Sequence, residues 1–144
     1  MKTTVVACAL IATAVAGCAS HTKYEEPGYA YGCPVGAEKI KSKEQLVKAK
    51  VEMAGSVPHV EVADLRCAQR NDQLRVDVDL RNTSNDVRRI AWKVRWMDKD
   101  GMRAWDDETW KPVLIYGNTI QTLTTQPPSQ EATDFRVVVM DQDK

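Results

Sequence analysis

From residue 74 to residue 81 the chain switches between apolar and polar at every step. Leu74-Arg75-Val76-Asp77-Val78-Asp79-Leu80-Arg81 alternates at all eight positions, the period of a strand with one face buried and the other wet. Ile90-Ala91-Trp92-Lys93-Val94-Arg95-Trp96 repeats the pattern, and Asn82-Thr83-Ser84-Asn85-Asp86 between them is a loop by composition. Joined as a hairpin, the two strands set Leu80 against Ile90, Val78 against Trp92 and Val76 against Val94. On the outer side Asp77 meets Lys93, an attraction of about a few tenths of a kcal/mol, and Arg75 meets Arg95. A slip of one residue turns every apolar side chain to water, so the register is well specified.

The pattern continues on both flanks. Val57 to Val62 reads as an edge strand with Pro58 tolerated at its start. It runs on through a bulge to Cys67 before Asn71-Asp72 turns the chain. Asp98-Lys99-Asp100-Gly101 is a hairpin turn, which would place Trp96 opposite Trp105. Val113 to Tyr116 and Thr119 to Thr125, on either side of Gly117-Asn118, read as a strand pair or as one kinked strand. Pro127-Pro128 stops them. Phe135 to Met140 is apolar on both faces and suits a central strand. Six or seven short strands without a helix predict an all-β domain over residues 56–144, a small Ig-like antiparallel β-sandwich.

Upstream the period disappears. Ala19 to Gly36 is rich in turn-formers, with Tyr24, Tyr29 and Tyr31 interleaved; the tyrosines are expected to pack loosely near Cys33. Ala37 to Met53 alternates Lys and Glu around Ile40, Leu46, Val47 and Val51. Ser42 with Gln45 three residues on is a capping box that opens a short helix, while Val51 and Met53 alternate as an extended segment would. Residues 18–55 are therefore expected to be a tether carrying a short helix.

The first residues are of another kind. Lys2 precedes an apolar run from Val5 to Ala12, and small residues follow. A charged start, a short apolar stretch and a small-residue processing site make an export signal. The stretch is too short to span the ~30 Å hydrocarbon core of a bilayer. Residues 1–17 are thus expected to be removed. Val15-Ala16-Gly17-Cys18 resembles the lipobox of bacterial lipoproteins. That resemblance implies a diacylglycerol thioether on Cys18, cleavage just before it and acylation of the new amine. Two or more acyl chains anchor stably. Ala19 stands where Asp would mark inner-membrane retention in such families, which implies the periplasmic face of the outer membrane. Ordinary secretion, with cleavage after Ala16 or near Ser20, is the alternative.

Charge adds little. Cleavage removes one base, Lys2, and no acid, so 20 Asp and Glu face 19 Lys and Arg. No nucleic-acid partner or polybasic membrane patch follows from that balance. With Cys8 in the signal and Cys18 lipidated, Cys33 and Cys67 remain. In an oxidising compartment the simplest reading is one disulfide; two free thiols are the alternative. His21 and His59 are the only histidines. His59 starts a strand with no nucleophile signature beside it, and no His and Cys pair has zinc spacing. In Asp98-Lys99-Asp100-Gly101 the Gly is fourth, where a calcium loop needs it sixth. Neither catalysis nor a cofactor or metal is expected. Val60, as a strand-addition rail, and Trp105, Trp110 and Tyr116, as aromatic anchors, are the candidate partner surface.

Asn82-Thr83-Ser84, Trp92 to Gly101, Trp110-Lys111-Pro112, Pro127-Pro128 and Phe135-Arg136-Val137 follow one another in a way that resembles the YcfL-like family of small bacterial lipoproteins, a domain without an assigned function. The resemblance implies a periplasmic sandwich on an outer-membrane anchor and transfers no catalytic residue. The expected role is a non-enzymatic module that binds another periplasmic or outer-membrane protein in wall synthesis or envelope assembly. The alternatives are a structural subunit tethering an envelope-spanning secretion apparatus, and a small-ligand binder.

Overall fold

The computed structural model describes residues 28–35, 39–106 and 108–143. The export signal 1–17, the lipidation at Cys18, and His21 and Tyr24 lie outside them. Strands β1 (Gly28–Ala30) and β2 (Cys33–Val35) form a small hairpin. Helix α1 (Lys43–Lys50) follows, then β3 (Val51–Met53), β4 (Val60–Arg70), β5 (Gln73–Asn82), β6 (Arg88–Met97), β7 (Lys111–Ile115), β8 (Ile120–Thr125) and β9 (Asp134–Asp141). The hairpin apart, seven strands make two packed sheets, β3-β9-β6-β7 and β4-β5-β8. The fold is a β-sandwich in which β3 and β9 run parallel and every other pair is antiparallel.

Sidedness follows the alternation, but strand pairing does not. Leu74, Val76, Val78 and Leu80 on β5 and Ile90, Trp92, Val94 and Trp96 on β6 all point into one buried core. Yet β5 pairs with β4 and β8, while β6 pairs with β7 and β9. The expected partners Leu80 and Ile90, Val78 and Trp92, Val76 and Val94 thus lie on separate sheets. On the outer side Asp77 sits opposite Arg66 and Thr124, and Lys93 opposite Val138. Arg75 and Arg95 are likewise on different sheets.

The reason is Asn82. It is fully buried, and its Nδ2 donates to the carbonyls of Asp86 (2.7 Å) and Ile115 (2.9 Å). Its Oδ1 accepts from the Ser84 N–H (2.9 Å) and hydroxyl (2.8 Å). A side chain that satisfies two crossing loops carries the chain from one sheet to the other instead of closing a hairpin. The second crossing packs on the first. A Cβ on Gly117 would stand 2.1 Å from the Asn85 carbonyl oxygen, and Asn118 donates its N–H to Ser84 O (2.9 Å). So β7 and β8 belong to different sheets, neither paired with each other nor one continuous strand as expected.

Other expectations stand. The β4 bulge falls between Val62 and Asp64. Asn71 and Asp72 take φ of 50° and 60°, as a tight hairpin turn requires. β9 is central. Ser42 caps α1 by accepting from Gln45 N (3.2 Å), and Gln45 Oε1 reaches back to Lys41 N (2.8 Å). That segment is no loose tether, however. Leu46 is fully buried in the sandwich core, and β3 extends the four-stranded sheet. The packed unit therefore starts before residue 56.

Candidate functional site

The two sides of the sandwich are finished differently. Along β3 and β4 the gap between the sheets is closed by α1 and the β1–β2 hairpin. Lys50, buried at 6% exposure, pairs with Asp134 at 2.7 Å, and Lys43 pairs with Asp64 at 2.8 Å. Cys33 is bonded to Cys67 (S–S 2.08 Å), joining β2 to β4. Gly32 lies so close that a Cβ there would stand 2.6 Å from Cys67 O.

The other side is open. β7 pairs with β6 only from Arg88 to Trp92. Beyond that point a cleft of about 240 Å³ opens, floored by Val94 and Trp96, walled by Lys111, Thr125 and Pro128, and roofed by Trp105 and Thr109. Its size is below the roughly 300–1,000 Å³ usual for small-molecule sites.

The roof is the β6–β7 connection. Asp98 Oδ1 accepts from the N–H groups of Asp100 and Met102 (both 2.9 Å), and Gly101 takes φ 75°. The returning chain meets β6 with Met97 opposite Arg103 and Ala104 N–H on Trp96 O (2.9 Å). That register is one residue from the expected one. Ala104, not Trp105, faces Trp96, whose ring packs instead on Phe135 (centroids 6.2 Å). Trp105 is left 45% exposed at the cleft mouth.

Glu108 fastens this loop to the outer face of the four-stranded sheet. Its side chain is almost buried and meets Lys93 at 2.8 Å, with Arg95 and Arg103 at 3.5 Å. Burial alone raises its carboxyl pKa. The Lys93 ammonium, then Arg103 and Arg95, more than reverse that and hold it below its ordinary value. Lys93 Nζ also lies 4.9 Å from the centre of the Trp110 ring, a cation–π contact.

Trp105, Trp110 and Met102 all lie, at least partly exposed, on the one loop between β6 and β7. Tyr116 is exposed at the crossover beyond β7, roughly 20 Å along the strand from Trp110, and does not join them. Val60 is buried and turned into the core, so it contributes backbone at most. His59 holds φ 63°, and its carbonyl accepts from Thr83. Among the described residues no hydrogen bond links its imidazole to a nucleophile or a carboxylate, and no three His, Cys, Asp or Glu form a metal cluster. Sequence reasoning missed Lys93, Arg95, Arg103 and Glu108 as one constellation. The signal was present only as outward-facing cations on β6, and their convergence depends on the fold of the loop.

Similar proteins carry the same fold. A Campylobacter jejuni crystal structure, cj0090, is 25% identical, with a TM-score of 0.57 over 65% of this chain and 98% of that one. The crystal structure of a DUF1425 family member from Shewanella sp. pv-4 is 21% identical, with a TM-score of 0.54 over 59% of this chain and 80% of that one. No curated protein matches. The family described as "Protein of unknown function (DUF1425)" matches residues 43–141, from the first residue of α1 to the last of β9. The chain belongs to the DUF1425 family.

Proposed function

We propose that the protein is a non-enzymatic docking module of the bacterial envelope, a YcfL-like lipoprotein held by lipid on Cys18 at the periplasmic face of the outer membrane. It binds another envelope protein through the loop between β6 and β7. The observation that carries this reading is the exposure of Met102, Trp105 and Trp110 within nine residues of a loop that Glu108 pins to the sheet. Tryptophans held in place on a rigid scaffold are favoured anchors of protein interfaces. The rail along β4 is the weaker choice, because β2 and α1 already pack beside that strand through Cys67 and Asp64.

A photo-crosslinking side chain in place of Met102, used in intact cells, should capture one envelope protein. Capture should fall at least about tenfold in a Trp105→Ala/Trp110→Ala background, as for the loss of two hot-spot residues. No capture, or capture that ignores the two tryptophans, contradicts the proposal. For the anchor, Cys18→Ala should abolish labelling by a fatty-acid analogue and release the protein from membranes. Persistent labelling removes the anchor from the account.

A further inference from the structure

We infer that the outer face of the four-stranded sheet receives an acidic segment of the partner protein. The inference rests on the docking reading above and names the chemistry of what docks.

The near-neutral composition hides an uneven distribution of charge. On the outer face of β4-β5-β8 the charges cancel locally. Arg66 meets Asp79 at 2.6 Å and Asp64 at 2.8 Å, Arg75 meets Asp77 at 3.4 Å, and Arg81 meets Glu61 at 3.6 Å. Lys43 adds a second partner for Asp64, and Arg70, exposed at the end of β4, is the cation there without an ion pair among the described residues. The opposite face is unbalanced. Lys93, Arg95 and Arg103 share Glu108, and Arg95 reaches Glu52 at 3.5 Å. Directly across the strand pair from Arg95 stands Arg136, exposed. Among the described residues it has no ion-pair partner.

Like charges set opposite each other in an antiparallel pair destabilise it. Stability therefore gives no reason for Arg95 and Arg136 to face one another, whereas a carboxylate laid between them gives one. The spacing is right for a chain. An extended segment laid over the ladder sets one carboxylate over the Arg95–Arg136 pair and its alternate side chains roughly 6.8 Å to either side. Trp110, over Lys93, borders the patch and supplies apolar contact at its rim. A protein partner fits better than an anionic lipid surface, because Glu52 and Glu108 are interleaved with the cations. A uniformly negative plane repels both, while a patterned partner places carboxylates only over the cations.

The test uses the full chain in cells, with the photo-crosslinking side chain at Met102, on the loop that Glu108 fastens to this face, and, separately, at Thr122 on the outer face of β4-β5-β8. The expected result is capture from Met102 of a peptide rich in Asp and Glu. Capture should drop at least about tenfold in Arg95→Glu/Arg136→Glu and stay unchanged in Arg75→Glu/Arg81→Glu, since charge complementarity governs encounter and register. Arg136→Gln breaks no ion pair among the described residues and guards against misfolding; it should lower capture on its own. A partner captured from Met102 with no dependence on Arg95 and Arg136, or captured only from Thr122, overturns the acidic-segment inference and leaves a docking module standing. Crosslinks to lipid alone overturn it in favour of a membrane surface. If neither position captures a protein, the docking reading falls with it.

Discussion

The closed side of the sandwich and the open side spend the same kinds of residue on different ends. Around β3 and β4 a lysine, a helix and a cysteine pair are all turned inward. Lys50 is buried on Asp134, Leu46 fills the core, and Cys33 staples the hairpin to β4. Around β6 and β7 a lysine, a loop and two tryptophans stay near the surface. Lys93 is held by Glu108 while Trp105 and Trp110 remain partly in water. The lesson is that burying large apolar groups at one edge supplies the stability that lets the other edge leave them exposed, and exposed aromatics on a rigid support are what a partner can use.

That contrast can be broken from the closed side first. Replacing Cys33 and Cys67 by Ala should lower unfolding stability by about 4 kcal/mol, from the entropy of an opened loop of that length, given a separation of 34 residues. Chemical denaturation of the reduced and oxidised wild type gives the same comparison without mutation. Leu46→Ala should cost about 3 kcal/mol, as for a fully buried leucine, and should leave capture from Met102 intact wherever the protein is still folded. A loss of partner binding in either variant at full folding contradicts the division of labour.

On the open side, Glu108→Gln should cost about 1.5–3 kcal/mol near neutral pH, the range for hydrogen bonds to charged groups. The sign with pH follows from the depressed carboxyl. Its stabilisation is present above the pKa of the unfolded chain and is lost as pH falls through the lower folded value. The wild type should therefore lose stability to acid more steeply than Glu108→Gln, as seen in thermal melts over a pH series. Parallel curves remove Glu108 as the fastener of the loop. The smallest effect expected is that of Trp105→Ala/Trp110→Ala on stability, about 1 kcal/mol from the lost Lys93–Trp110 contact, despite the large loss of binding.

Much of the fold was legible because β4, β5, β6 and β9 alternate or run apolar long enough to show their period. Pairing was not legible. Two amphipathic strands joined by a five-residue loop satisfy the same pattern as a hairpin or as facing layers, and the choice is made by the buried amide of Asn82 bonding across two loops. β3 showed as an extended stretch in the alternation of Val51 and Met53, but its place in the sheet was hidden because its neighbour β9 lies more than eighty positions away. Of the site, the tryptophans were visible as residue types. The Trp96–Trp105 pairing failed because the Asp98 side chain lengthens the turn by capping two N–H groups. The cation patch was invisible because Arg136 joins Lys93 and Arg95 only through the β6–β9 ladder.

The most direct measurement of the division between the two sides is oxidative footprinting of the protein in intact cells against the purified chain. Met102, Trp105 and Trp110 should be protected in cells, while Tyr29, Tyr31 and Tyr116, exposed outside that loop, should react equally in both. Equal reactivity of the tryptophans in both settings, or protection confined to the tyrosines, would contradict the account.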